Sequence, residues 1–275
     1  MAETRTFLIS VLKAIGRAFR WAYRRVRPLF LRFWLFAIIV ILLLATQLSL
    51  FEKPIVGVYI NAVSFAVLIG LGLWQARVRQ LSISVAIVTV ATMITLSLPQ
   101  TSIFAQSVVF YSALLIMGLV YRFMFTLDEP VETTKLRLRG YTLAIPLMLV
   151  IGEALGSAGY GLLRHQYTFG HTALPLVAAA SVVFAISEEV VFRGLIQQQA
   201  MKVLHPIVAA VLATILYTSF TFGHAGSYLA PLFGLLNGIV LAVTYHKKQN
   251  LLLTITINAA SKLVYIGLIA GFIFR

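Results

Sequence analysis

Residues 173–194 read ALPLVAAASVVFAISEEVVFRG, a run of small and branched apolar residues broken by Glu188, Glu189 and Arg193. About 20 such residues are the length of helix that crosses a bilayer. Two adjacent carboxylates there are costly, since an ionisable group near the bilayer centre costs roughly 2.5–3.5 kcal/mol on insertion scales. Groups of this kind face the bundle interior and mark functional sites. The stretch therefore sets both the fold class and the place to look for chemistry.

The wider sequence agrees. Of 275 residues, 60% are hydrophobic and 11% charged, where a soluble domain carries about 25% charged residues. By run length, apolar spans fall at about 33–51, 55–74, 81–98, 103–125, 141–163, 173–192, 206–222, 229–245 and 251–274. The expectation is an all-α polytopic transmembrane bundle of eight to nine spans. There is no cysteine, so neither disulfide nor thiolate chemistry enters. No small-residue cleavage motif closely follows the basic N-terminal stretch, so the first span is expected to serve as an uncleaved anchor.

The net charge is +14, and it clusters beside the spans. That pattern reads as orientation and lipid contact, with no nucleic-acid partner. Arg77, Arg79, Lys135, Arg137, Arg139, Arg193, Lys202, Lys247 and Lys248 fall on one side of the nine-span reading; Lys53, Arg164 and Arg275 fall on the other. The positive-inside rule then puts the N-terminus in the cytosol. Localisation is expected to be the plasma membrane of a bacterium, as a multi-pass protein. Within residues 1–32, Leu8, Leu12, Ile15 and Phe19 form an apolar stripe, with Lys13, Arg17, Arg20 and Arg24 beside it. A basic amphipathic helix on anionic lipid fits this pattern; a cytosolic tail that only fixes orientation fits it equally.

The polar stretch 127–140 divides a four-span N-terminal membrane region, 33–126, from a C-terminal domain, 141–275, that holds the intramembrane acids. Glu189 and Arg193 are four residues apart and can pair on one helix face. Glu188 is rotated by about 100°, so it is the acid expected to be freer for chemistry. A hairpin at His205-Pro206 puts residue 188 level with residue 223, because antiparallel helices rise equally per residue. Glu188 and His224 then share a depth, provided that the helix continues past Phe192 towards Lys202. On the last span Asn258 and Lys262 share a face, and the acids within Lys262's reach are Glu188, Glu189 and Glu153. Glu153, between Gly152 and Gly156, and Asn237, within Gly234-x-x-x-Gly238, can equally be helix-packing residues.

Glu188-Glu189-x-x-x-Arg193-Gly194, then Phe220-x-x-x-His224, then a Gly-rich span and a polar last helix resemble the CAAX prenyl protease 2-like (CPBP or Abi) intramembrane proteases. The resemblance covers about 173–267 and leaves out the four leading spans. It implies that Glu188 and His224 activate a water molecule while Glu189 and Arg193 support the site. The family's last motif is His-x-x-x-Asn (or Asp); here Asn258 and Lys262 stand at its two positions. Both can meet developing negative charge, although loss of one oxyanion donor can cost ~10²–10³ in rate.

The function expected on this basis is intramembrane hydrolysis of a peptide bond in a membrane protein or peptide. The family is commonly classed with metalloproteases, but a catalytic zinc takes three protein ligands. Glu188, Glu189 and His224 are the only set that could supply them, so zinc is possible while no cofactor is favoured. Two alternatives stay open. One is a catalytically weakened scaffold or immunity-type regulator, favoured by residues 258 and 262. The other is a transporter, against which stands the lack of repeated halves.

Overall fold

The computed structural model describes residues 34–46 in part, and 54–97, 103–125, 144–163, 174–225 and 229–269. The chain divides into two units, Met1–Ile41 and Leu42–Arg275. In the first, Trp34, Ala37, Ile38, Val40 and Ile41 are helical. The proposed lipid-binding helix within 1–32 and the polar boundary 127–140 lie outside the described residues.

In the second unit every described element is helical. The helices are α1 (Pro54–Trp74), α2 (Arg79–Leu96), α3 (Ile103–Phe125), α4 (Ala144–Leu163) and α5 (Leu174–Glu188). A π-helical stretch, Glu189–Gln197, follows, then α6 (Gln198–Val203), α7 (Pro206–Ala225), α8 (Ala230–Lys248) and α9 (Leu251–Ile269). The membrane-bundle reading stands. Among the described residues five helices are long and apolar enough to cross a bilayer: Ile55–Trp74, Arg79–Leu96, Ser107–Phe125, Ala144–Gly161 and Leu251–Leu268. α8 ends in His246, Lys247 and Lys248, and the apolar part of α7, Pro206–Phe220, is shorter.

Local chemistry sets the turns. Val203 ends α6, and Leu204 is extended (φ −118°, ψ 163°). Pro206 opens α7, a position where its missing N–H costs nothing. The expected hairpin at His205-Pro206 is therefore present, with the preceding helix continuing through Lys202. Between α8 and α9, Gln249 adopts a left-handed conformation (φ 46°) and its N–H bonds to the Tyr245 carbonyl at 2.7 Å. Asn250 Oδ1 then accepts from the N–H groups of Leu252 at 2.8 Å and Leu253 at 3.4 Å. That is a side-chain cap on two of the free donors at the start of α9.

Packing converges on α5 and the π-helical stretch, which α2, α3, α7, α8 and α9 all touch. α9 lies against both α4 and α5. Its approach to α4 is close because Gly152 and Gly156 leave no side chain between the backbones. A Cβ at Gly152 would stand 2.6 Å from both the Ala260 Cβ and the Ile257 carbonyl oxygen. One at Gly156 would strike the Ser261 carbonyl and stand 2.9 Å from the Val264 Cβ. These two glycines seat the α9 segment that carries Asn258 and Lys262.

Candidate active site

Glu188 ends α5 and Glu189 begins the π-helical stretch; both side chains are fully buried, as are Arg193 and Asn258. A π turn widens the helix and occurs frequently at functional sites. Here it holds two carboxylates and their arginine.

Glu188 was expected to be the freer acid, and in that respect the structure corrects the sequence reading. Its Oε1 accepts from the Tyr111 hydroxyl at 2.8 Å and the Lys262 ammonium at 2.9 Å. Its Oε2 accepts from the Asn258 amide at 2.9 Å and the Tyr217 hydroxyl at 3.1 Å. An ionised carboxylate has about four lone-pair sites, so four donors fill Glu188. Helical phase had correctly removed it from Arg193, but it said nothing of donors arriving from α3, α7 and α9.

Glu189 pairs with Arg193, Oε1 to Nη1 at 3.4 Å, as the four-residue spacing requires. The same oxygen accepts from the Asn258 amide at 2.9 Å. One NH₂ group therefore bridges the two carboxylates and reduces the repulsion between them. Arg193 also donates from Nη2 to the Gly238 carbonyl at 3.3 Å, and its guanidinium lies 4.5 Å from the centre of the Tyr217 ring. Two acids thus face two cations, Arg193 and Lys262, which is how buried charge is tolerated.

Of the acids within reach of Lys262, Glu188 is the partner. Glu153 is exposed on the outside of α4, so it contributes neither to the ion pair nor to the packing between helices. That packing falls to its glycine neighbours. Gly238 has a similar part: a Cβ there would stand 3.2 Å from both Thr214 Cγ2 and Tyr217 Cδ1. Asn237 bonds across helices, donating to the Tyr217 hydroxyl at 3.0 Å, and so orients a group that donates to Glu188.

His224 lies in the last turn of α7; its side chain is outside the described residues. Tyr111 and Tyr217 were missed by sequence reasoning. Tyr217 had a local signal, because positions 217, 220 and 224 share one stripe of α7. Tyr111 had none, being a tyrosine on a span far from the motifs. The depth argument also needs adjustment. More residues per turn advance the chain less per residue, so the π stretch places Glu188 opposite a point nearer the hairpin. The Tyr217 hydroxyl reaches it there.

Among the described residues no three His, Cys, Asp or Glu side chains converge to hold a metal. Lys262 sets its ammonium against Glu188 Oε1. Of the three ligands a zinc would need, Glu188 and Glu189 lie side by side, and the side chain of His224 is outside the described residues.

Residues 170–264 match the family described as type II CAAX prenyl endopeptidase, Rce1-like. No curated protein matches the chain. No solved structure matches it either. The matched segment contains Glu188, Glu189, Arg193, Asn258 and Lys262 of the cluster together with His224, and over residues 170–264 the chain is similar to the CAAX protease-like (CPBP/Abi) family.

Proposed function

We propose that the protein is an intramembrane endopeptidase that hydrolyses a peptide bond of a membrane-associated protein or peptide, with Glu188 as general base. The supporting observation is the convergence of buried Glu188 and Asn258 with partly exposed Lys262, linked at 2.9 Å. Such a cluster offers a proton acceptor beside a cation, as addition of water to a carbonyl requires.

Glu188 cannot accept a proton while four donors fill it, so one must leave. Lys262 is the candidate. Its side chain is 17% exposed while that of Glu188 is fully buried, and its stem is flexible. When the ammonium swings from Oε1 to the substrate carbonyl, the vacated lone pair takes a proton from water. The resulting hydroxide bonds to the carbonyl carbon, and the π electrons move to oxygen, where Lys262 meets the charge. Collapse breaks the C–N bond, and the Glu188 proton passes to the leaving nitrogen. Asn258 acts as the bridge between carboxylates, since both acids use its amide. His224, by its place at the end of α7, would help to hold the water. Arg193 keeps Glu189 in place as a structural anion. The reaction as written involves no metal.

The filled state of Glu188 also favours a second reading, a catalytically weakened member that binds membrane proteins without cutting them. Lys262→Gln separates the two. If Lys262 meets the oxyanion, peptide release from membranes falls at least tenfold; if the ammonium only locks Glu188, release rises. Glu188→Gln should abolish release while the protein still inserts, and unchanged release would sink the peptidase reading.

A further inference from the structure

The family match begins at residue 170, yet one of the four donors to Glu188 comes from far outside it. Tyr111 lies on α3, is 8% exposed, and sends its hydroxyl to Glu188 Oε1 at 2.8 Å. Its ring stacks on Phe184, with centres 4.1 Å apart and planes at 24°. Phe184 precedes Glu188 by one helical turn on α5, so ring and hydroxyl grip the same helix at two successive levels. Phe110 and Phe220 meet the ring edge-on at 5.3 and 6.1 Å. The Lys262 ammonium lies 5.6 Å from the ring centre, within the range of cation–π attraction.

We infer that Tyr111 is a positioning residue of the active site, and that α3, one of the leading spans, is a component of the site rather than an appendage to it. The argument rests on the reading of Glu188 as base. Tyr111 and Lys262 share Oε1, but they differ in freedom. The tyrosine is clamped between aromatic rings and the lysine sits at the edge. When Lys262 leaves, Tyr111 stays, keeping the carboxylate plane fixed so that the vacated lone pair points where the ammonium was. The same ring face gives the ammonium a place to return to. A hydroxyl serves this purpose where a second cation would not, because it donates without adding charge to a cluster already balanced by Arg193 and Lys262.

The test uses the full-length protein in lipid vesicles. Tyr111→Phe keeps the stack and the cation–π contact and removes only the hydroxyl; Tyr111→Leu removes all three. On a peptide released by the wild type and not by Glu188→Gln, Tyr111→Phe should lower kcat about tenfold with KM changed less than twofold. Tyr111→Leu should lower kcat further. Wild-type kcat in Tyr111→Phe would overturn the inference. If no such peptide exists, the peptidase reading fails by itself, and thermal unfolding decides the positioning. Bonds to a charged acceptor are about twice as strong as neutral ones. Tyr111→Phe should therefore lower Tm about twice as much in the wild type as in a Glu188→Gln background. Equal shifts would overturn it.

Discussion

The amide of Asn258 is the smallest part on which the site depends. It donates to Glu188 Oε2 and Glu189 Oε1, both at 2.9 Å. Asn258→Ala removes two charge-assisted bonds and leaves the carboxylates unbridged. Hydrogen bonds to charged groups contribute about 1.5–3 kcal/mol each, so the loss should show as a large fall in Tm and loss of peptide release. Arg193→Met tests the other side of the balance. It strands Glu189 in a fully buried position, and breaking a buried ion pair in this way costs about 3–5 kcal/mol. Poor recovery of folded protein from membranes is the expected result, and wild-type recovery would argue against the pairing. The residue scale was partly legible from sequence. The i, i+4 spacing of Glu189 and Arg193 identified a pair because that interaction lies within one helix. The four donors on Glu188 were not legible, because they arrive from α3, α7 and α9 and only tertiary packing brings them together.

At the scale of elements, the seam between α4 and α9 places Asn258 and Lys262. Gly156→Ala adds a Cβ that meets the Ser261 carbonyl and the Val264 side chain, so α9 must shift. Overpacking of this kind costs about 1–3 kcal/mol, and it should reduce peptide release by displacing Asn258 from the two acids and Lys262 from the position where it would meet the oxyanion. Gly161→Ala on the same helix adds a Cβ with nothing within 4 Å and should leave both stability and activity unchanged. If the two variants behave alike, the seam does not set the site. A packing role at this seam was expected of Glu153, and it falls to Gly152 and Gly156 instead. The outward direction of Glu153 was not readable, since an acid beside close-packed glycines can turn to either flank. The hairpin at His205-Pro206 was readable because proline and a short turn leave few alternatives. The π-helical stretch 189–197 had no sequence signal beyond its unusual charges, since its register depends on the pairing of Glu189 and Arg193 with neighbouring helices.

For the whole molecule, run length and hydropathy were enough to give a helical membrane bundle, because lipid requires each spanning segment to satisfy its own backbone. They did not reveal that α3 reaches the acid cluster. That depends on how α3 packs against α5, which hydropathy does not encode. The proposed reaction involves no metal, which gives a further expectation at this scale. Peptide release by the purified protein should withstand a strong chelator, and loss of release restored by zinc alone would reverse that part of the account. The central claim is tested most directly by mass spectrometry of peptides released from membranes containing equal amounts of the wild type or Glu188→Gln. The account predicts a set of membrane-derived peptides with new termini in the wild type and none of them in the variant. Identical peptide sets from both would contradict it.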